Sequence, residues 1–88
     1  MRFDAHVEVR LRPGIADPES ATIERALPAL GFDDVHAMTT GRSFRFEVEA
    51  ESAESARARA EAMASRLLAN PVLEDAHVSV SVPESAGT

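Results

Sequence analysis

The chain has 88 residues, 44% hydrophobic and 27% charged, with a formal charge of −6, which fits one soluble domain with a thin margin of buried surface. It contains no cysteine, and all nine basic residues are arginine, so disulfides, thiolate metal sites, cysteine nucleophiles and Schiff-base or P-loop lysines are excluded. The acidic balance argues against nucleic-acid or membrane-surface binding, no apolar run reaches the roughly 20 residues that span a bilayer, and the expected compartment is the cytoplasm.

From Phe3 to Arg12 apolar residues (Phe3, Ala5, Val7, Val9, Leu11) alternate with polar ones. A period of two predicts a half-buried strand, which Pro13-Gly14 ends. Asp17-Pro18 predicts a helix start, with Asp17 as N-cap and Pro18 in the first turn, where its missing N–H costs nothing. Ile23, Leu27 and Leu30 mark its apolar face and Gly31 its left-handed stop. Pro28 lies inside this stretch and cannot bond the Glu24 carbonyl, so the last turn should kink or loosen.

Val35–Thr40 reads as a short, weak strand, Gly41 as a turn, and Phe44, Phe46 and Val48 as the inward residues of a strong strand that completes a hairpin. Ser52 is the expected N-cap of a second helix over about 53–69. Its stripe is Ala56, Ala60, Met63 and Leu67, and Asn70-Pro71 stops it. Ala76, Val78, Val80 and Val82 alternate through a last strand. Residues 1–82 thus read as one domain and 83–88 as a frayed tail. The fold class is α+β: a two-layer βαββαβ sandwich of the ferredoxin-like kind, with a four-stranded antiparallel sheet and two helices on one face.

No set of residues converges on catalysis. Asp33-Asp34 lies in a turn and Glu49 and Glu51 at a strand end, so no pair of carboxylates is brought to one cleft. His6, His36 and His77 are the only histidines, and two of them on an outward sheet face read as polar surface, short of the three or four ligands zinc requires. No serine sits in a nucleophile-elbow or Ser-x-x-Lys setting. The one charged cluster of interest is Arg10, Arg12 and Arg42, which strand pairing would gather at one end of the sheet. They could receive a carboxylate or phosphate, or pair with the chain's own Asp17 or Glu19.

Three stretches resemble the PurS family. Arg12-Pro13-Gly14-Ile15-Ala16-Asp17-Pro18 is similar to its K-x-G-V-L-D-P link, and Ile23 to Phe32 to its I-x-x-A-L-x-x-L-G-F helix exit. Leu68 to Asp75 is similar to L-L-A-N-P-V-I-E-D. Arg12 stands where lysine is common and Ala16 where leucine is usual. The resemblance implies a non-catalytic subunit of phosphoribosylformylglycinamidine synthase, the ATP-dependent amidoligase of purine biosynthesis. Such a subunit forms a homodimer or homotetramer and joins the synthetase PurL to the glutaminase PurQ. It would bind no cofactor itself, the complex using ATP, Mg2+ and glutamine. The candidate partner-interface residues are Arg10, Arg12, Pro13, Gly14, Asp17, Pro18, Gly41, Arg42, Asn70 and Pro71. A regulatory module of the ACT type shares the strand and helix order, and Gly14 suits its glycine after the first strand.

Overall fold

A computed structural model describes residues 1–83. The elements run β1 (Arg2–Leu11), α1 (Pro18–Ala26), a 3-10 turn (Pro28–Leu30), β2 (Gly41–Glu49), α2 (Ala53–Met63) continued by a π-helical turn (Ala64–Leu68), and β3 (Glu74–Ser81). The sheet is antiparallel with order β2-β1-β3, so the most regularly alternating stretch of the sequence is its central strand. On the inner face Val7 lies between Phe44 and Val78, and Ala5 between Phe46 and Val80. Val7 and Val9 are fully buried, each burial stabilising the fold by about 1.5–3 kcal/mol.

Among the described residues the sheet has three strands where four were expected, because Val35–Thr40 forms none. The backbone N–H groups that would serve a ladder are taken by carboxylates of the first helical region: Met38 N–H donates to Glu24 Oε1 (3.1 Å) and Thr40 N–H to Asp17 Oδ2 (3.0 Å). Ala37 adds a left-handed φ of 57°, which an extended strand cannot hold. Gly41 is therefore not a hairpin turn but the first residue of β2. A Cβ there would lie 2.5 Å from the Val9 carbonyl oxygen, so glycine is required by the close approach of the two strands.

Among the described residues only α2 covers the sheet, packing on all three strands, whereas α1 packs mainly on the 3-10 turn after it. The expected pair of helices on one face is thus met by one helix. Residues 12–40 form an arm tied to itself by the Asp17 and Glu24 bonds, and the molecule measures 50 × 34 × 14 Å. Its radius of gyration, 16.8 Å, exceeds the roughly 12 Å of a compact chain of this length.

Local signals explain the helix ends. Asp17 caps α1 with Pro18 at its first position, and α1 gives way at Leu27 to the 3-10 turn that Pro28 begins. Gly31, at φ 94°, closes it. Ser52 caps α2 reciprocally with Ser55. The buried stripe of this second helix is Ala56, Ala60 and Ala64, a spacing of four residues that continues into the π-helical turn. Met63 and Leu67, expected in the stripe, are exposed on its flank. Pro83, the first residue of the expected tail, is buried, and the rest of that tail lies outside the described residues.

Candidate functional site

Four of the ten candidate interface residues meet at the end of the sheet where β1 finishes and β3 begins. The π-helical turn ends on an Ala69 N–H to Ala64 carbonyl bond of 2.8 Å, and Asn70 then folds the chain back. Its side-chain oxygen accepts from Val72 N–H (3.0 Å), and its carbonyl accepts from Leu73 and Glu74 N–H (3.1 and 2.8 Å). Glu74 returns the bond, accepting from Asn70 N–H at 2.8 Å through Oε1. Pro71 leaves its own carbonyl to the Arg12 guanidinium, while Arg12 N–H bonds the Leu73 carbonyl at 2.9 Å.

Arg42 enters the same network from β2. Its Nη2 donates to the Leu68 carbonyl (3.1 Å) and to both oxygens of Glu74 (3.1 and 3.2 Å), and its guanidinium carbon lies 5.7 Å from the centroid of the Phe44 ring. The Asn70 N–H, with Arg42 beside it, holds the Glu74 carboxyl below its ordinary pKa, since both favour the ionised form. Arg12, Arg42, Asn70 and Pro71 are thereby joined through Glu74 and its neighbours into one polar brace between β1, β2 and the start of β3.

The expected three-arginine cluster does not form, for a reason of parity. Val9 pairs with Arg42 and Arg10 with Gly41, and directly opposed residues share a face. Arg42 thus lies on the inner face with Val9, and Arg10 on the outer one. Each guanidinium already has a carboxylate: Arg10 with Glu8 (3.4 Å), Arg12 with Asp75 (3.3 Å) and Arg42 with Glu74 (3.1 Å). None of the three pairs with Asp17 or Glu19. The sequence reading missed Glu74 and Asp75, although both stand where β3 must begin opposite Leu11 and Arg10.

Asp17 forms a second, separate joint. Its carboxylate accepts from Ser20 N–H (3.1 Å), Ser20 Oγ (2.8 Å), Thr40 N–H (3.0 Å) and Thr40 Oγ1 (3.1 Å). The Thr40 N–H above all, then the Ser20 donors, lower its pKa to about 2. One carboxylate thus closes both the start of α1 and the entry to Gly41. Pro13 and Gly14 make the turn between β1 and the arm, with Gly14 at φ 89° and Ile15 N–H on the Arg12 carbonyl (3.1 Å).

Open grooves flank these joints. One of about 440 Å³ runs between the end of α2 and β3, lined by Arg12, Glu61, Ser65, Glu74 and Val78 among others. A second, of about 400 Å³, lies on the β2 side and is lined by Val48, Met63, Leu67, Arg59 and Arg66. On the outer face His6 Nε2 and Ser43 Oγ are 2.6 Å apart. Among the described residues no three His, Asp or Glu side chains group as metal ligands, and no helix is long and apolar enough to cross a membrane.

Residues 4–82 match the family model PurS, described as phosphoribosylformylglycinamidine (FGAM) synthase. The chain is 40% identical over 84 residues, 96% of its length and 99% of the relative's, to phosphoribosylformylglycinamidine synthase subunit PurS of Methanothermobacter thermautotrophicus. Among solved structures it resembles Methanocaldococcus jannaschii PurS, a subunit of formylglycinamide ribonucleotide amidotransferase, with TM-score 0.83 and 35% identity over 93% of this chain and 99% of that one. It also resembles a chain of PurLQS from Thermotoga maritima, with TM-score 0.84 and 34% identity over 91% and 98%. These comparisons do not favour the ACT-type alternative. With the match running from Asp4, the third residue of β1, to Val82, just past β3, the chain belongs to the PurS family of phosphoribosylformylglycinamidine synthase subunits.

Proposed function

We propose that this chain is the assembly subunit of its phosphoribosylformylglycinamidine synthase: it joins a PurL synthetase to a PurQ glutaminase and contributes no catalytic group. The complex consumes ATP with Mg2+ and takes ammonia from glutamine, converting formylglycinamide ribonucleotide to formylglycinamidine ribonucleotide. The chain's share is to hold the two active sites in one particle, so that ammonia passes between them without escaping to solvent. A homodimer or homotetramer is the expected form.

The likeness to a chain of the Thermotoga maritima PurLQS structure over 91% of the residues carries this reading. The site geometry supports it. Arg10, Arg12, Arg42, Asp17 and Glu74 are all engaged within the chain, which suits residues that shape a surface and not residues that turn over substrate. Exposed Ile23, Leu30, Phe32 and Val35 on the arm offer apolar area to a larger partner.

Reconstitution tests the proposal. PurL, PurQ and this chain together should make product from glutamine, and omission of the chain should abolish that flux while leaving synthesis from ammonium salts largely intact. Full glutamine-dependent synthesis without the chain would overturn it.

A further inference from the structure

The outer face of the sheet carries a positive charge that no carboxylate answers. The outward residues of β1 and β2 are opposed as His6 with Arg45, Glu8 with Ser43 and Arg10 with Gly41. Two carboxylates stand near Arg45 on that face, and both are engaged elsewhere: Glu8 with Arg10 (3.4 Å) and Glu47 with Arg2 (3.7 Å). Among the described residues Arg45 has no carboxylate of its own. Arg59 and Arg66 lack one too, but they border the apolar groove of Val48, Met63 and Leu67. The surroundings of Arg45 are polar.

Arg45 borders an open hollow of about 260 Å³ whose lining is rich in hydrogen-bond donors. Glu8 is its one carboxylate, already held by Arg10. Thr40 gives its hydroxyl to Asp17 at 3.1 Å, which leaves Thr39 and Ser43 as the hydroxyls that serve the hollow. Ser43 Oγ lies 2.6 Å from His6 Nε2. The tautomer with its proton on Nε2 donates to Ser43 and frees the serine proton for another acceptor.

We propose that this hollow binds a phosphate group, either free or carried on a small ester. The Arg45 guanidinium offers a fork of parallel N–H donors to two phosphate oxygens. The Ser43 and Thr39 hydroxyls are donors for the others. A tetrahedral dianion can use donors set around it, whereas a carboxylate has two oxygens in one plane and would leave the hydroxyls without an acceptor. A cation is disfavoured by the arginines of the lining. Because the hollow is open to water and salt, binding in the millimolar range is expected. This ligand site goes beyond the assembly role, and it is tested on the chain alone.

Heteronuclear NMR of the full chain tests the site. Inorganic phosphate and ribose 5-phosphate are titrated separately, with sodium chloride holding the ionic strength constant. Each should move the Ser43 and Arg45 amides and the Arg45 Nε–H along a saturating curve. Equal or weaker binding of the ester assigns the site to free phosphate, and tighter binding assigns it to a phosphorylated small molecule. Arg45→Ala should raise the dissociation constant roughly tenfold. Arg45→Lys keeps the charge without the fork and should raise it less, and Arg59→Ala should leave it unchanged. Arg45 is exposed, so these variants should fold, which the dispersion of the amide spectrum verifies. Shifts that never saturate, shifts that chloride alone reproduces, or unchanged affinity in Arg45→Ala would each overturn the proposal.

Discussion

Asp17 does the work of two residues. An ordinary N-cap satisfies donors of the helix it begins, but this carboxylate also takes both donors of Thr40, at the threshold of β2. Its lowered pKa, about 2 against an ordinary 3.8, means that the folded chain binds a proton here less readily than the unfolded one. The stabilisation is therefore complete above about pH 4 and is lost as pH falls toward 2. Asp17→Asn should flatten this part of the stability–pH profile, measured by thermal melts between pH 2 and 6. Asp17→Ala at pH 7 should lower Tm by about 4–8 °C. Half of this residue's role was legible: Asp-Pro announces a cap, but nothing in the sequence says that Thr40 returns to it.

At the scale of elements, proline and alanine decide the shapes. Pro28 deprives the Glu24 carbonyl of its bond and starts the 3-10 turn. Pro28→Ala should extend α1 toward Leu30, seen as helical carbon chemical shifts over 27–30. Ala56 and Ala60 of α2 and Ala64 just after it are buried where the helix packs on the sheet, Ala64 in one cluster with Val7 and Val9. Ala60→Leu forces extra methyl groups into that contact and should cost about 1–3 kcal/mol in chemical denaturation. β1, α1, β2, α2 and β3 were readable because each has a strict period or a clear cap. Val35–Thr40 was misread because its fate depends on the Asp17 and Glu24 side chains, which lie far away in sequence. The face of Arg42 was misread because it follows from the register of two strands, and an arginine two residues before Phe44 gives no sign of lying inward. Met63 and Leu67 lost their place to Ala64 because the buried row steps by four residues, from Ala56 through Ala60 to Ala64.

The whole molecule is a braced sheet with an arm. β1 is bonded along both edges and lined by the most buried side chains, whereas the arm is held by a few side-chain bonds and leaves Leu30 and Phe32 exposed. Hydrogen exchange should follow this contrast. Amides of β1 should be slowest, those of residues 28–38 should exchange orders of magnitude faster, and Met38 and Thr40 should be slower than their neighbours, read residue by residue by NMR. Uniform protection across arm and sheet would show that the arm is packed down in solution.

The central position of β1 also fixes when the protein can fold. β1 is made before both of its neighbours, β2 and β3, and Asp4 must wait for Ser81. A nascent chain carries an apolar strand with neither edge bonded until β2 has been made, and with one edge open until β3 has. Loop closure over such spans slows folding. Until the sheet closes, Phe3 to Val9 is the segment most exposed to mispairing, and a chaperone that grips β1 would be acting on the future centre of the fold.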